Sequence, residues 1–281
     1  MPDPVKLLPT LRRAVEFTRS TPGRKGRVVT LEEVDEILVA GDMHGNVASF
    51  QAIYKAAELS KNPRRHLVIQ EVIHSSFRYP NGGDKSHQLL DLYSALKCQH
   101  PKQVHLLMGN HEMSQWTNRR VMKNDENYNE IFISGVVEAY EKSADEVYQS
   151  YLALFEVLPL VLRTPNRIFL SHSVPTAKYL PKFDLKLLEV DQLPNEMLNP
   201  SGIAYALVWG RDTSANHVQN FLKLVDADWI ITGHIPCEEG FSFPNDQQII
   251  LDSASSPAAY CLVPTSRNLT HEEFIATVRK I

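Results

Sequence analysis

Residues 36 to 46 read EILVAGDMHGN, and this stretch decides the fold. Five residues suited to a buried strand run into a glycine, then an aspartate and a histidine, then an asparagine able to cap a helix. A short apolar run without polar alternation is what a strand covered on both faces needs. Gly41 suits a tight strand exit, where the backbone must approach something closely. After Asn46, the residues Val47, Phe50, Ile53, Tyr54 and Ala57 recur at helical spacing, so a helix succeeds the turn.

The same unit recurs outward from this point. HLVI (66 to 69), VHLLM (104 to 108), RIFL (167 to 170), ALVW (206 to 209), DWIIT (228 to 232) and QIIL (248 to 251) read as further strands. Ser86 precedes a helix whose Leu89, Leu90, Tyr93 and Leu96 share a face. Residues 5 to 19 form an amphipathic helix set off by the turn-rich TPGRKG, and residues 113 to 157 are mostly helical in pattern. Short apolar strands alternating with helices predict a layered α/β protein, with residues 1 to 281 as a single domain carrying an N-terminal helix and a helical insertion.

Composition narrows the function classes. The 281 residues are 43% hydrophobic and 22% charged, with a net charge of −4, which offers no broad positive field for nucleic acid or an anionic membrane. Three widely spaced cysteines without a CxxC pair argue against a disulfide framework or a zinc finger and fit a reducing, cytoplasmic setting. No apolar run suits a secretory signal or a membrane span.

The residues just past each strand carry the chemistry. EILVA leads to GDMHGN, HLVI to Gln70 and Glu71, VHLLM to GNHE, RIFL to SHS, and DWIIT to GHIP. Residues beyond the carboxyl ends of strands in a layered α/β protein converge in one crevice. The converging set is Asp42, His44, Glu71, Asn110, His172 and His234, with His111 beside it. Carboxylate, imidazole and amide donors without thiolate suit manganese, iron or zinc. Six donors exceed one catalytic zinc; two ions about 3.5–4 Å apart, sharing a carboxylate and a bridging hydroxide, would use them all. Their residual positive charge would draw an anionic phosphate ester. The plainer reading of Glu71 is a strand-end charge. His66, His87, His100, His105, His217 and His271 read as structural or surface residues.

The segments GDMHGN, LKCQHPKQVHLLMGNHE, ALFEVLPLVLRTPNRIFLSH, VWGRD and ITGHIP, spread over residues 36 to 262, resemble the calcineurin-like metallophosphoesterases. Within that superfamily they are most similar to the phosphoprotein (serine/threonine) phosphatase branch with its bacterial and phage-type members. The resemblance implies a β-sandwich of two mixed sheets flanked by helices, and two metal ions, manganese or iron first and zinc next. It makes Asp42 and His44 ligands of the first ion and Asn110, His172 and His234 ligands of the second. Asn110 also borders the phosphate in this reading. His111 matches the histidine that stabilises or protonates the leaving oxygen, and Arg211 a phosphate-binding arginine.

One segment departs from the family pattern. Relatives carry GDxxDRG where this chain has QEVIHSS. Glu71, 27 residues after His44, takes the place of the bridging aspartate, and His74 the place of a second aspartate that orients the catalytic histidine. His74 leaves open a further ligand, an acid or base, or a solvated loop histidine, of which the loop histidine is the plainest reading. No arginine stands at the family spacing. The inserted SSFRYPNGGDKS offers Arg78 and Lys85 as replacement phosphate-binding charges, and Asp84 as a support for His111. The expected activity is hydrolysis of phosphate monoesters, phosphoserine and phosphothreonine included. The alternatives are a phosphodiesterase or dinucleoside polyphosphate hydrolase, and a metal-binding scaffold with weakened chemistry.

Overall fold

The computed structural model describes residues 3–281. The described strands are β1 (Arg24–Lys25), β2 (Val28–Thr30), β3 (Glu36–Asp42), β4 (Arg65–Gln70), β5 (Val104–Leu107), β6 (Met122–Lys123), β7 (Glu126–Asn127), β8 (Val161–Arg163), β9 (Ile168–Ser171), β10 (Trp229–Thr232), β11 (Phe241–Asn245), β12 (Gln248–Leu251), β13 (Ala259–Pro264) and β14 (Val278–Lys280). They form a five-stranded sheet, β14-β13-β3-β4-β5, a seven-stranded sheet, β1-β2-β8-β9-β10-β12-β11, and the small hairpin β6-β7. Both large sheets are mixed. The parallel run β3-β4-β5 is edged by antiparallel β13, and the parallel run β9-β10-β12 by antiparallel β8 and β11.

Strand periodicity divides the core in two. Ile37 and Val39 of β3, Val68 of β4, Ile168 and Leu170 of β9, and Ile231 of β10 pack in one apolar cluster with Ala259, Cys261 and Val263 of β13. The alternating residues Leu38, Ala40, Leu67, Ile69, Phe169 and Ile230 join a second cluster shared with the helices. Successive side chains leave a strand on opposite faces, so apolar strands in a sandwich with helical outer layers are apolar on every residue. The flanking helices are α1 (Pro4–Arg19), α2 (Val47–Ala57), α3 (His87–Gln99), α4 (Asn110–Trp116), α5 (Tyr128–Tyr140), α6 (Ala144–Val157), α7 (Ile203–Trp209), α8 (Ala215–Leu224) and α9 (His271–Ile275). Two mixed sheets flanked by helices is the sandwich that the resemblance implied. Among the described residues no helix is long and apolar enough to cross a membrane.

One expectation is corrected and one is refined. ALVW is not a strand but the C-terminal part of α7, bounded by Gly202 and Gly210; a four-residue apolar run does not distinguish strand from buried helix by period alone. The stretch from 113 to 157, mostly helical in pattern, carries the rest of α4 and all of α5 and α6. The hairpin β6-β7 interrupts it, turning on Asn124 and Asp125, whose φ angles of 50° and 64° are left-handed and favoured by those residue types. Met122 of this hairpin borders the cleft into which the strand-end residues project.

Candidate metal centre

Glu71 stands at the centre of the converging residues. Its Oε1 lies 3.3 Å from His44 Nε2 and 3.6 Å from His111 Nε2, and its Oε2 lies 2.7 Å from His172 Nε2. Asp42 accepts the backbone N–H of His234 on both carboxylate oxygens, at 3.1 and 2.9 Å. Asn110 Oδ1 is 2.9 Å from His172 Nε2 and 2.8 Å from His234 Nδ1. The exits of β3, β4, β5, β9 and β10 thus deliver Asp42, His44, Glu71, Asn110, His172 and His234 to one place, with His111 alongside.

The backbone achieves this through unusual conformations. His44, Glu71, His74 and His234 all have left-handed φ, at 40°, 40°, 64° and 68°. Each such non-glycine residue costs on the order of 1–3 kcal/mol and persists only where its surroundings hold it. Here the turns after β3 and β4 hold each other: the N–H groups of Met43 and His44 donate to Glu71 O, and that of Gly45 to Val72 O, each at 2.9 Å. Behind them the buried Glu112 carboxylate accepts the N–H groups of Val72, Ile73 and Gly109 at 2.8, 3.3 and 3.1 Å. Gly233 must lack a side chain, because a Cβ there would lie 2.1 Å from Asp42 Oδ1.

These residues fit metal ions on hydrogen-bonding grounds. His172 Nδ1 faces Gln70 Oε1 at 3.3 Å and Asp42 Oδ1 at 3.6 Å, both acceptors, so it carries hydrogen. The other ring nitrogen then meets Glu71 Oε2 and Asn110 Oδ1, which are acceptors too. Glu71 Oε2 is buried without a hydrogen-bond partner of acceptable geometry, despite the short approach of His172. Three lone-pair atoms crowded together require a cation, whether a proton or a metal ion. Burial alone would lower His172, but Glu71 and Asp42 outweigh it and raise its pKa to about 9. Burial, only partly offset by His172, lifts Asp42 to about 6. Glu71 is held well below the carboxylate range, because His111 and His172 overcome the effect of its burial. The donor atoms fall into two triads, His44–Glu71–His111 and Asp42–Glu71–His172, each with its atoms within 4.8 Å of one another, and Glu71 is common to both. Oxygen and nitrogen donors of this kind suit manganese, iron or zinc.

The centre forms the floor of a cleft of about 510 Å³ whose walls include Val121, Met122, Tyr128, Trp209 and Arg211. Arg211 donates from Nε to His234 Nε2 at 3.2 Å while its side chain stays exposed. Its segment is anchored by Ser173, whose N–H donates to Leu207 O at 2.7 Å and whose Oγ accepts the N–H of Gly210 at 2.9 Å. The serine after His172 therefore ties the strand exit to the end of α7.

Other expected residues lie elsewhere. Arg78 sits over the Tyr128 ring at 5.1 Å and 3.9 Å from Glu126, outside the cleft lining. Lys85 lies over the Tyr79 ring at 5.1 Å and lines a separate hollow with Phe77 and Gln88. Asp84 is fully buried and accepts from Ser75 and Ser86, with no hydrogen bond to His111. The insertion turns these three away because Asp84 closes its base while aromatic rings hold both cations. His74 is buried in the cleft wall, its Nε2 2.9 Å from Gln115 Oε1. Sequence patterns assign no role to Glu112, Gln70 or Gln115. Glu112 had a signal, since a glutamate three residues after the Gly109 helix start has capping-box spacing.

The chain is 22% identical over 264 residues to a serine/threonine-protein phosphatase of Caenorhabditis elegans, covering 86% of this chain and 54% of that one. It is 23% identical over 250 residues to human serine/threonine-protein phosphatase 5, covering 83% and 45%. The chain thus spans about half the length of these curated relatives. Its fold matches a Saccharomyces cerevisiae protein serine/threonine phosphatase described as similar to human PP5, with a TM-score of 0.71 at 16% identity over 100% of this chain and 89% of that one. It also matches a cold-active protein-tyrosine phosphatase of a psychrophilic Shewanella, with a TM-score of 0.62 at 13% identity over 94% and 84%. The family profile described as calcineurin-like phosphoesterase matches residues 36–238. That span opens on β3 and closes just past His234, enclosing every residue that meets on the cleft floor: the chain belongs to the calcineurin-like phosphoesterase family.

Proposed function

We propose that this protein is a metal-dependent phosphatase that hydrolyses phosphate monoesters at a two-ion centre. The observation that carries the reading is the place of Glu71 in both donor triads. By the family resemblance Asp42, His44 and Glu71 would hold one ion and Glu71, Asn110, His172 and His234 the other, whereas the triads set Asp42 with His172 and His44 with His111 around the shared Glu71. Bound there, a pair of divalent cations supplies charge neutralisation for the phosphate and acidifies water enough to make it a nucleophile at neutral pH. The remaining work falls to the chain. Arg211, exposed at the cleft beside His234, suits bidentate binding of phosphate oxygens. His111, on the cleft floor with Nε2 near Glu71, suits contact with the leaving oxygen.

Manganese or iron is the proposed occupant, with zinc the next choice, and free cysteines are consistent with a reducing cytoplasmic setting. Phosphoserine and phosphothreonine are the proposed substrate groups, taken from the names of the relatives. The Shewanella likeness adds phosphotyrosine to the test. Stripped protein should release phosphate from p-nitrophenyl phosphate when manganese is restored, faster than it cleaves the bis-p-nitrophenyl diester. A phosphopeptide panel then ranks the three amino acids. No turnover with manganese, iron, zinc or nickel would sink the proposal, and faster diester cleavage would replace it with a phosphodiesterase.

A further inference from the structure

The inserted segment folds into a ribbon with two unlike faces. The Tyr79 N–H donates to Gly83 O at 2.7 Å and the Lys85 N–H to Phe77 O at 3.0 Å, which sets Arg78 opposite Asp84 in antiparallel register. Successive residues of such a pair leave on opposite sides. Arg78 and Asp84 take one side, where the Tyr128 ring and the serines 75 and 86 engage them. Phe77, Tyr79 and Lys85 take the other, with Lys85 Nζ 5.1 Å from the centre of the Tyr79 ring.

This second face borders a hollow of about 220 Å³, lined by residues 45–48 together with Phe77, Lys85 and Gln88. Among the described residues of that lining, Lys85 alone is charged. Phe77 is 48% exposed, although an aromatic ring gains by leaving water. The ribbon is fixed against the turn that carries His44. Gly45 packs so closely on it that a Cβ there would lie 2.7 Å from Ser75 Cβ and 2.9 Å from Ser86 Cβ. Asp84 ties the two serines together, accepting the Ser75 N–H at 3.1 Å and the Ser86 N–H at 2.8 Å. The hollow therefore has a set place beside the cleft. Its residues Gly45 and Phe77 directly follow His44 and Ser76, which line the cleft itself. Residues of an extended peptide advance by about 3.3–3.6 Å each, so a chain with its phosphorylated residue over the metal centre reaches the hollow within a few residues.

We infer that this hollow is a substrate subsite for an acidic side chain of a phosphopeptide, an aspartate or glutamate near the phosphorylated residue, with its carboxylate on Lys85 and its methylenes against Phe77. The phosphorylated residue rests on the phosphatase reading. The choice of an acidic neighbour rests on the uncompensated lysine and the exposed ring, since a lone cation on an otherwise uncharged wall selects the opposite charge.

The test uses the metal-loaded full chain and phosphoserine peptides of one length, with glutamate, glutamine or lysine placed in turn at each of the three positions before and after the phosphoserine. At one position kcat/KM should be about fivefold higher for glutamate than for glutamine, and about tenfold higher than for lysine. Each rate is divided by that for p-nitrophenyl phosphate, which is too small to span both sites. Lys85→Gln should abolish the preference, and Lys85→Glu should reverse it at the same position. Lys25→Glu, the same change of charge on β1 of the other sheet, should leave it standing. Absence of any position that favours glutamate, survival of the preference in Lys85→Glu, or an equal reversal by Lys25→Glu would overturn the inference. A second readout needs no turnover. Anisotropy titrations of the same peptides, fluorescently labelled, should give the same order of affinities and the same reversal. If the wild type hydrolyses no phosphate ester, the phosphatase reading fails; equal affinity for the glutamate and lysine peptides would overturn the subsite separately.

Discussion

Gly109 lies so close to Glu71 that a Cβ on the glycine would stand 2.3 Å from Glu71 Oε2 and 2.8 Å from Glu71 Cβ. The side chain missing from one strand exit is thus the space in which the shared carboxylate sits. Gly109→Ala should displace Glu71, weaken divalent-metal binding by about tenfold or more and cost about 1–3 kcal/mol of stability from overpacking. Gly82→Ala is the control: it has a φ of 87° and no neighbour within 4 Å of the added carbon, so it should lower stability and leave metal affinity unchanged. Titration calorimetry and thermal melts of both variants decide the matter.

Glu71→Asp restores the carboxylate of the family pattern but withdraws it by one methylene. The backbone at residue 71 is held left-handed by the N–H groups of Met43 and His44, so it is not free to advance. Aspartate tolerates that conformation better than glutamate, so stability should stay within about 0.5 kcal/mol. Metal affinity should fall by about tenfold. Tighter binding by the aspartate variant would show that the centre adapts to the shorter arm.

Arg211 is the proposed phosphate-binding cation that lines the cleft once Arg78 and Lys85 are set aside. Arg211→Ala should lower kcat/KM by about 10²–10³-fold. Arg211→Lys keeps the charge without the planar fork and should recover only part of that loss. Inhibition by inorganic phosphate should weaken in parallel. Unchanged phosphate inhibition would leave Arg211 as a brace for His234 alone.

His66 and His105 form a buried stacked pair outside the cleft lining, with His66 Nδ1 2.9 Å from His105 Nε2. Burial, with Lys97 nearby, pushes His66 down to about 4, below its unfolded value near 6.5. A histidine with a depressed folded pKa stabilises above its unfolded pKa and loses that contribution as pH falls through the folded one. The share of stability carried by His66 should therefore fall by on the order of 3 kcal/mol between pH 6.5 and pH 4, against the opposite contributions of Asp42 and Glu112, whose raised carboxyls favour the folded state as pH falls. Denaturant melts across that window should show a shallower loss for His66→Gln, which keeps a partner for His105 without the same titration.

The cleft floor was legible because each strand announced its cargo: a glycine or a polar pair directly succeeds the apolar run at Asp42, Glu71, Asn110, His172 and His234. Less legible were strands too short to show a period, such as Val28–Thr30 and Val161–Arg163, and the alternating Ala259–Pro264, whose half-buried residues mask its pairing with β3. Arg78, Lys85 and Asp84 misled because the insertion has the right charges near the right place. Only the side-chain contacts reveal that Tyr128, Tyr79, Ser75 and Ser86 already engage them. Gln70 and Gln115 act through other side chains, and such partners have no fixed sequence spacing from what they support; Glu112 has capping-box spacing to Gly109 but none to the Val72 and Ile73 amides it also accepts.

Glu112 allows the sharpest test of that indirect role. Its buried carboxylate accepts three backbone N–H groups, from Val72 and Ile73 in the turn beyond Glu71 and from Gly109 at the start of α4. Glu112→Gln preserves shape but turns one acceptor into a donor that must face a backbone N–H. Leaving buried groups unsatisfied in this way costs about 1–3 kcal/mol. The turn carrying Glu71 would lose an anchor, so metal affinity should fall although no proposed ligand changes. Removing a negative charge beside Glu71 acts in the opposite direction: burial and Glu71 together lift Glu112 to about 7, so the two carboxylates disfavour each other's ionised forms. If that repulsion dominated, Glu112→Gln would raise stability and leave metal affinity unchanged. The hydrogen-bond argument instead requires both to decline together, which paired melts and metal titrations of one variant can distinguish.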